Sequence, residues 1–185
     1  MEKYDIEVNS YDKLYYEEQL LKHKFAEKKF DLDNASRVLD IGCGTGIFVE
    51  RIAEKVEFVV GIDISIGMLS KAKSKLINKS NTHLINSDLD HLPLKRCVFN
   101  HVFAFSVLHG YSDLKKAIRE LFSVLTPSSK VMISIMKKKT SQKKIEKIIS
   151  KTNLENIASL ETSDTKDIFL IFENDLQSKR FNSSD

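Results

Sequence analysis

Cysteine, tryptophan and proline are scarce in this 185-residue sequence, which contains two cysteines, two prolines and no tryptophan. Cys43 and Cys97 lie far apart and lack the paired spacing of metal ligands, so we predict two free thiols and no metal site. Free thiols are typical of proteins kept in a reducing compartment. We therefore expect a cytoplasmic protein.

Long apolar runs and a dominant charge are also absent. No stretch approaches the roughly 18 apolar residues that a membrane-spanning helix needs, and the start, Met-Glu-Lys-Tyr-Asp, is too polar for a signal peptide. The 29 lysines and arginines exceed the 26 acidic residues by only three, for a net charge of +3. This balance excludes the strongly basic composition of a dedicated nucleic-acid coat protein, and we expect no membrane partner.

Short apolar runs alternate with segments of helical periodicity along most of the chain. The runs are rich in β-branched and aromatic residues without strict alternation, which is typical of strands covered on both faces. Such runs occur at residues 37–41, 58–63, 82–88, 100–106 and 131–136. The pattern predicts an α/β fold with a mostly parallel sheet.

The second half of the chain adds a helix and a hairpin to this prediction. Apolar residues between 114 and 125 recur at helical spacing and predict an amphipathic helix that Ser112 caps and Pro127 ends. Two extended segments, 156–160 and 167–172, are separated by a polar turn. We expect them to form a β-hairpin that closes one edge of the sheet.

The first predicted strand ends in a glycine-rich turn, Gly42-Cys43-Gly44-Thr45-Gly46, just before a predicted helix. Glycines permit a tight turn and let backbone N–H groups approach a ligand where a Cβ would clash. Such a turn can also simply connect a strand to a helix, so by itself it is weak evidence for a ligand.

An aspartate stands at the end of each of the first three predicted strands: Asp40, Asp63 and Asp88. Ligands of open α/β sheets bind outside the carboxyl ends of the strands. Asp63 follows Gly42 by about 20 residues, the separation at which an acid reaches a pair of ribose hydroxyls. Each aspartate alone is explained as a helix cap or turn residue, but three in succession favour a nucleotide-like ligand.

Known dinucleotide and phosphate motifs do not match this turn. The nicotinamide fingerprint needs a glycine at the position of Ile47, and no phosphate-binding loop ending in Gly-Lys-Ser/Thr is present. An ionised Asp40 would also repel a pyrophosphate placed against the turn. These observations disfavour a nicotinamide-dependent oxidoreductase and favour a ligand that carries positive charge.

With these residues, the sequence resembles the class I S-adenosylmethionine-dependent methyltransferases over residues 36 to 173. Residues 38–46 are similar to the first motif of that family, 61–65 to the second, 86–88 to the third and 99–109 to the fourth. The resemblance implies a Rossmann-like, doubly wound fold. Its sheet would be mostly parallel and seven-stranded, with a C-terminal antiparallel hairpin and helices on both faces.

The resemblance also implies a cofactor, S-adenosylmethionine, and a set of residues that bind it. The turn glycines would lie against the methionine and ribose portions, Asp40 would orient the methionine amino group, and Asp63 would hold the ribose hydroxyls. Asp88 would accept a hydrogen bond from the adenine amine, and apolar side chains would sandwich the ring. The implied binding residues are Asp40, Gly42, Cys43, Gly44, Gly46, Asp63, Ile64, Met68, Asp88, Leu89 and Ser106.

Two residues after the fourth predicted strand are candidates for the catalytic step. The resemblance puts Ser106 beside the transferable methyl group, and His109 is a candidate base because neighbours can tune its pKa. His109 can equally pack the cofactor pocket or face solvent. The family segment Asn/Asp-Pro-Pro-Tyr, which marks methylation of exocyclic amines on bases or of glutamine, is replaced by Ser106-Val107-Leu108-His109.

The chain ends lie outside the predicted methyltransferase domain, which we assign to residues 36–177. Residues 1–35 are predicted to form a helical lid that contacts substrate, and residues 178–185 a flexible tail. Alternatively, the tyrosines of the N-terminal segment pack its helix onto the sheet. The candidate lid and substrate residues are Tyr4, Tyr11, Tyr15, Tyr16 and His109.

The methyl acceptor is predicted to be a small molecule. A basic face offers an alternative, since it could bind the phosphates of an RNA or contact a protein substrate, although a solvated helix face explains such lysines equally well. The basic face consists of Lys137, Lys138, Lys139, Lys143, Lys144, Lys147 and Lys151. A further alternative is a non-catalytic, methyltransferase-like partner subunit.

Overall fold

The structure is a computed structural model. It describes residues 2–108, 113–136, 147, 150, 154–161 and 165–174. Within it the chain divides into two compact units, Met1–Asp88 and Leu89–Asp185.

The first unit contains three parallel strands and the helices that follow them. Its elements are helix α1 (Glu2–Lys29), strand β1 (Arg37–Ile41), helix α2 (Ile47–Ile52), strand β2 (Phe58–Asp63), helix α3 (Ile66–Lys75) and strand β3 (Thr82–Asn86). A short 3₁₀ helix, Ala53–Lys55, continues α2. The strands pair in the order β3-β2-β1, with Asp40 opposite Gly61 and Asp63 opposite Asn86.

Burial on both faces explains why β1 and β2 are largely apolar runs. Val38, Leu39 and Val59 are completely buried, as expected for parallel strands covered by helices. Helix α3 starts at Ser65, whose side chain accepts a hydrogen bond from the backbone N–H of Met68. The helix then buries an apolar face against the sheet.

Helix α1 is fixed to α2 and the following 3₁₀ turn by charged and aromatic contacts. Glu27 accepts hydrogen bonds from Arg51 at 2.9 and 2.6 Å and from Lys55 at 2.5 Å. His23 packs on Phe48 with ring centroids 4.9 Å apart. Burial, followed by the charges of Arg51 and Lys22, lowers the pKa of His23 to about 3, so this ring is neutral at physiological pH.

In its described residues, the second unit contains two parallel strands, the helix α4 (Leu114–Ser123) and the C-terminal hairpin. Its elements are strand β4 (Phe99–Phe105), helix α4 (Leu114–Ser123), strand β5 (Leu125–Met136), strand β6 (Leu154–Glu161) and strand β7 (Asp167–Asn174). Strand β5 pairs in parallel with β4 and antiparallel with β7, and β7 pairs antiparallel with β6. The predicted hairpin is therefore confirmed, with longer strands than expected.

Two details around α4 differ from the sequence prediction. Ser112 was the expected N-cap and lies outside the described residues, but the cap is Asp113, whose Oδ1 accepts from the backbone N–H of Lys116 at 3.0 Å. Helix α4 ends at Ser123, and Pro127 lies inside β5. The register between β4 and β5 is irregular between Phe99 and His101, and an irregularity of this kind accommodates a proline that cannot donate to the ladder.

The α/β fold expected from the alternating pattern is confirmed. The seven described strands make up a mixed sheet with a C-terminal antiparallel hairpin, as the family resemblance implied. The apolar stripe predicted for α4 is also confirmed, because Leu114, Ala117, Ile118 and Leu121 are buried.

Candidate functional site

The glycine turn joins the end of β1 to α2 in a conformation that requires its glycines. Gly42, Gly44 and Gly46 have φ angles of 70°, 54° and 77°, in the left-handed region that glycine adopts without steric cost. The backbone N–H groups of Gly42 and Cys43 both donate to the carbonyl of Ile62, at 2.8 and 2.9 Å. These bonds fix the turn to the end of β2.

Two glycines of the turn serve different purposes. A Cβ added to Gly46 would lie 3.0 Å from the Cβ of Ala72, so this glycine lets the turn pack on α3. A Cβ added to Gly44 would meet no heavy atom of the described residues within 4 Å. The backbone at Gly44 therefore borders open space, as a turn that receives a ligand should.

Asp63 holds the turn from the end of β2. Its Oδ2 accepts from the backbone N–H of Gly44 at 2.8 Å, and its Oδ1 accepts from the backbone N–H of Ser65 at 2.9 Å. A carboxylate oxygen accepts more than one hydrogen bond, so these contacts are compatible with ribose hydroxyls at the same group. Asp63 thus sets the position of Gly44 as well as offering a binding group of its own.

Asp40 lies within β1 and is only 2% exposed. Burial, with a smaller contribution from the charge of Asp63, raises the pKa of Asp40 to about 8. Asp40 is therefore mostly protonated at neutral pH in the absence of a ligand. A protonated Asp40 would repel a pyrophosphate less than expected. The stronger argument against a nicotinamide cofactor is therefore Ile47, which stands where the nicotinamide fingerprint needs a glycine.

Cys43 and Gly61 form a close contact that was not recognised from the sequence. A Cβ added to Gly61 would lie 2.9 Å from Sγ of Cys43 and 3.1 Å from the side chain of Leu84. Burial raises the pKa of the Cys43 thiol well above its ordinary value. Cys43 is thus a packing residue of the turn that Gly61 accommodates. The sequence signal for this contact was Gly61 itself, because a glycine inside a predicted strand often marks a close approach by another group.

The segment after β2 carries the candidate adenine contacts of the first unit. Ile64 is 43% exposed, an unusual environment for a large apolar side chain at a strand end. The Asn86 side chain donates to the carbonyls of Asp63 and Ile64, at 3.0 and 2.9 Å, and so fixes this segment. Met68 is buried in α3, and Asp88 follows β3 at half burial.

Strand β3 is shorter than predicted. It ends at Asn86, so Asp88 lies two residues beyond the strand rather than at its end. Asn86 lies in the segment 86–88 that resembles the third family motif, and its role in holding the Asp63–Ile64 backbone was not predicted from the sequence.

In the second unit, Ser106 follows β4 and belongs to a buried polar cluster that it forms with Ser134 and Asp167. Ser106 Oγ donates to Oδ2 of Asp167 at 2.6 Å, and Ser134 Oγ donates to the same atom at 2.7 Å. Neither Ser134 nor Asp167 was singled out from the sequence. Leu89, the second predicted adenine contact, is buried in this unit.

Several predicted site residues cannot be placed by their side chains. His109 lies outside the described residues, as do the lysines of the basic face except Lys147, which is exposed. Tyr4 and Tyr11 belong to α1, but only their backbone is described and their side chains are not. Tyr15 and Tyr16 are 39% and 44% exposed, so neither ring is buried against the sheet.

In the described ranges, no group of three or more His, Cys, Asp or Glu residues is arranged to hold a metal ion. None of the helices in those ranges combines the length and apolar character needed to span a bilayer.

Several proteins with sequences or folds similar to this chain are named as methyltransferases. A family described as a methyltransferase domain matches residues 32–177. The malonyl-[acyl-carrier protein] O-methyltransferase of Legionella pneumophila is 33% identical over 103 residues, covering 54% of this chain and 36% of that protein. The ubiquinone/menaquinone biosynthesis C-methyltransferase UbiE of Wigglesworthia glossinidia is 29% identical over 103 residues, covering 52% and 41%. The chain spans less than half the length of these curated relatives.

A solved structure shows the same fold. The N-methyltransferase NodS of Bradyrhizobium japonicum, in complex with S-adenosylhomocysteine, superposes with a TM-score of 0.69 at 18% identity, covering 84% of each chain. The family match extends over most of the chain and agrees with the motifs around Gly42 and Asp63. The protein therefore belongs to the methyltransferase domain family, whose cofactor is S-adenosylmethionine.

Proposed function

We propose that this protein is a cytoplasmic S-adenosylmethionine-dependent methyltransferase with a small-molecule acceptor. The observation that carries the proposal is the glycine turn, where open space next to Gly44 adjoins the carboxylate of Asp63. Open space beside a left-handed glycine lets a ligand approach the backbone where a Cβ would clash. These features fit the ribose and methionine portions of the cofactor.

The cofactor would be held by the residues that the family motifs identify. Gly42, Gly44 and Gly46 would let the cofactor approach the backbone of the turn closely. Asp63 would accept hydrogen bonds from the ribose hydroxyls of the cofactor. Asp40 would orient its amino group. The adenine contacts would come from Ile64, Met68, Asp88 and Leu89.

When bound, S-adenosylmethionine supplies a methyl group on a positively charged sulfur, which an acceptor atom attacks in a direct displacement. The work of the protein is then mainly alignment, because holding the reacting atoms in line lowers the entropic part of the barrier. Ser106 and His109 are the proposed residues next to the transferred methyl group. The proposed lid (residues 1–35), with Tyr4, Tyr11, Tyr15 and Tyr16, would cover the acceptor and exclude water.

A small-molecule acceptor is supported by the names of the relatives, which act in malonyl-[acyl-carrier protein] methylation and in quinone biosynthesis. The basic face remains the feature that an RNA or protein acceptor would use. A non-catalytic partner subunit would keep the fold without needing the open space next to Gly44.

The proposal is tested by ligand binding and then by methyl transfer. We expect S-adenosylmethionine and S-adenosylhomocysteine to raise the melting temperature of the full chain, and NAD to leave it unchanged. Tritiated S-adenosylmethionine is then incubated with cell extract divided into metabolite, RNA and protein fractions, and label is expected in the metabolites. Stabilisation by NAD alone would contradict the proposal, and no stabilisation by any of the three would favour the partner subunit.

The buried Asp40 predicts that cofactor affinity depends on pH. The free protein holds the proton of Asp40 up to a pKa of about 8, whereas the positively charged amino group of the cofactor favours the ionised carboxylate. Binding below pH 8 therefore releases a proton. Affinity should rise by up to about tenfold per pH unit between pH 6 and about 7.5, where the amino group of the cofactor is still mostly charged.

Calorimetric measurement of the dissociation constant between pH 6 and about 7.5 checks this expectation. The matched control is Asp40→Asn, which has a similar shape and no proton to lose. Its affinity should be weaker and nearly independent of pH in this range. If the dissociation constant depends on pH equally in the two proteins, Asp40 keeps its proton when the cofactor binds.

A further inference from the structure

Helix α1 packs on the first unit with one face and exposes the other. The inner face contributes Lys22, His23 and Ala26, which are buried. On the same side, Glu27 accepts hydrogen bonds from Arg51 of α2. The opposite face carries five exposed residues, which follow one another at steps of three, four, three and four and which we call the outer stripe: Leu14, Glu17, Leu21, Lys24 and Lys28.

The spacing of the outer stripe is that of a helix–helix contact. Alternating steps of three and four residues keep side chains on one side of an α-helix, which is how two helices pack side by side. Leu14 is 67% exposed and Leu21 is 39% exposed. A single exposed leucine is ordinary on a protein surface. These two are seven residues apart and therefore in line along the helix, where one second helix would cover both.

The charges of the outer stripe are separated by sign along the helix. The acidic residue, Glu17, precedes Leu21, and the two lysines follow it. An RNA or an anionic membrane would be attracted to the lysines and repelled by Glu17. A partner that matches the whole stripe needs a basic group opposite Glu17 and an acidic group opposite the lysines. The same helix in the antiparallel orientation has this arrangement.

We propose that the outer stripe is the interface of a symmetric dimer, in which the α1 helices of two copies of this chain pack antiparallel. A two-fold axis near Leu21 places Glu17 of each copy opposite the stretch of the other copy that carries Lys24 and Lys28, so every charge contact occurs twice. The leucines would pack against each other and against the aliphatic stems of the lysines. The inner face keeps its contacts with α2, and the inference does not depend on the proposed function.

The length of the outer stripe sets the expected strength of the dimer. From Leu14 to Lys28 the helix rises about 21 Å, at about 1.5 Å per residue. A pair of helices in contact over this length falls at the small end of protein interfaces, below about 1,200 Å² of buried surface. We therefore expect a reversible dimer with a dissociation constant in the micromolar range.

Charge reversal in the outer stripe tests the antiparallel arrangement. Glu17→Lys makes the charges of the stripe wholly basic, and the double variant Lys24→Glu/Lys28→Glu makes them wholly acidic. Each variant alone should weaken self-association by roughly tenfold or more, because like charges then meet at both ends of the interface. An equimolar mixture of the two should dimerise about as tightly as the wild-type chain, since a basic stripe then faces an acidic one.

Sedimentation equilibrium of the full chain between about 5 and 500 μM measures these dissociation constants. Lys73→Glu is the matched control, because it makes the same charge change at an exposed position of α3. It should retain the wild-type dissociation constant. Leu21→Gln replaces the central leucine by a residue that also favours helix, and should weaken the dimer by roughly tenfold.

Three results would overturn the inference. The first is a wild-type chain that stays monomeric at about 500 μM; if this monomer cosediments with anionic lipid vesicles, the outer stripe is a membrane contact. The second is a dimer that Glu17→Lys and Leu21→Gln leave unchanged. The third is weakened association in both charge variants without recovery in their mixture. Melting curves identify variants that fail to fold, and all the substituted residues are exposed.

Discussion

Replacing Asp63 with alanine should weaken binding of S-adenosylmethionine by at least roughly 100-fold. Hydrogen bonds to a charged group contribute about 1.5–3 kcal/mol each, and the proposed role of Asp63 provides two of them to the ribose hydroxyls. The substitution also removes the acceptor for the Gly44 N–H and for the Ser65 N–H. The loss therefore combines a missing ligand contact with a less rigid turn.

Isothermal titration calorimetry measures the effect, with Asp33→Ala as the matched control. Asp33 also accepts a backbone N–H two residues ahead, that of Ala35 at 3.0 Å, but it lies in the loop before β1. The control should bind S-adenosylmethionine with the wild-type affinity. If Asp63→Ala binds as tightly as the control, the ribose assignment is wrong.

A pair of alanine substitutions in the glycine turn should separate folding from binding. Both Gly44→Ala and Gly46→Ala place a Cβ at a positive φ, at a cost of about 1 kcal/mol. Gly46→Ala adds a collision with Ala72, where the contact would be 3.0 Å, and overpacking of this kind costs a further 1–3 kcal/mol or so. Gly44→Ala adds no collision, but its Cβ enters the open space next to the turn.

We therefore expect Gly46→Ala to affect mainly the melting temperature and Gly44→Ala mainly the affinity for S-adenosylmethionine. Gly46→Ala should lower the melting temperature by roughly 5–12 °C, given about 2–4 °C per kcal/mol for a chain of this size. Gly44→Ala should lower it by only about 3 °C but reduce S-adenosylmethionine affinity by roughly tenfold or more, because its methyl group occupies cofactor space. Normal binding by Gly44→Ala would show that the open space is not the cofactor site.

The fold and the glycine turn were predictable because their signals are local in sequence. Parallel strands buried on both faces appear as continuous apolar runs, and the left-handed turn appears as three alternating glycines. The helix cap at Asp113 was missed by one residue, since a serine and an aspartate stand side by side and both are good caps. The start of β5 was missed because Pro127 looked like a helix terminator.

The cluster around Ser106 could not be predicted in the same way. Ser106 and Asp167 are 61 residues apart, and their contact depends on the register with which β7 pairs with β5. The raised pKa of Asp40 was missed for a related reason. Its position at a strand end suggested an accessible charge, whereas the packing around β1 buries it almost completely.

The attachment of α1 has a mechanical consequence for the first unit. Glu27 and His23 fix the C-terminal part of this helix to α2, and α2 begins directly after Gly46. A displacement of α1 would therefore be transmitted to α2, and from there to the glycine turn that ends at Gly46.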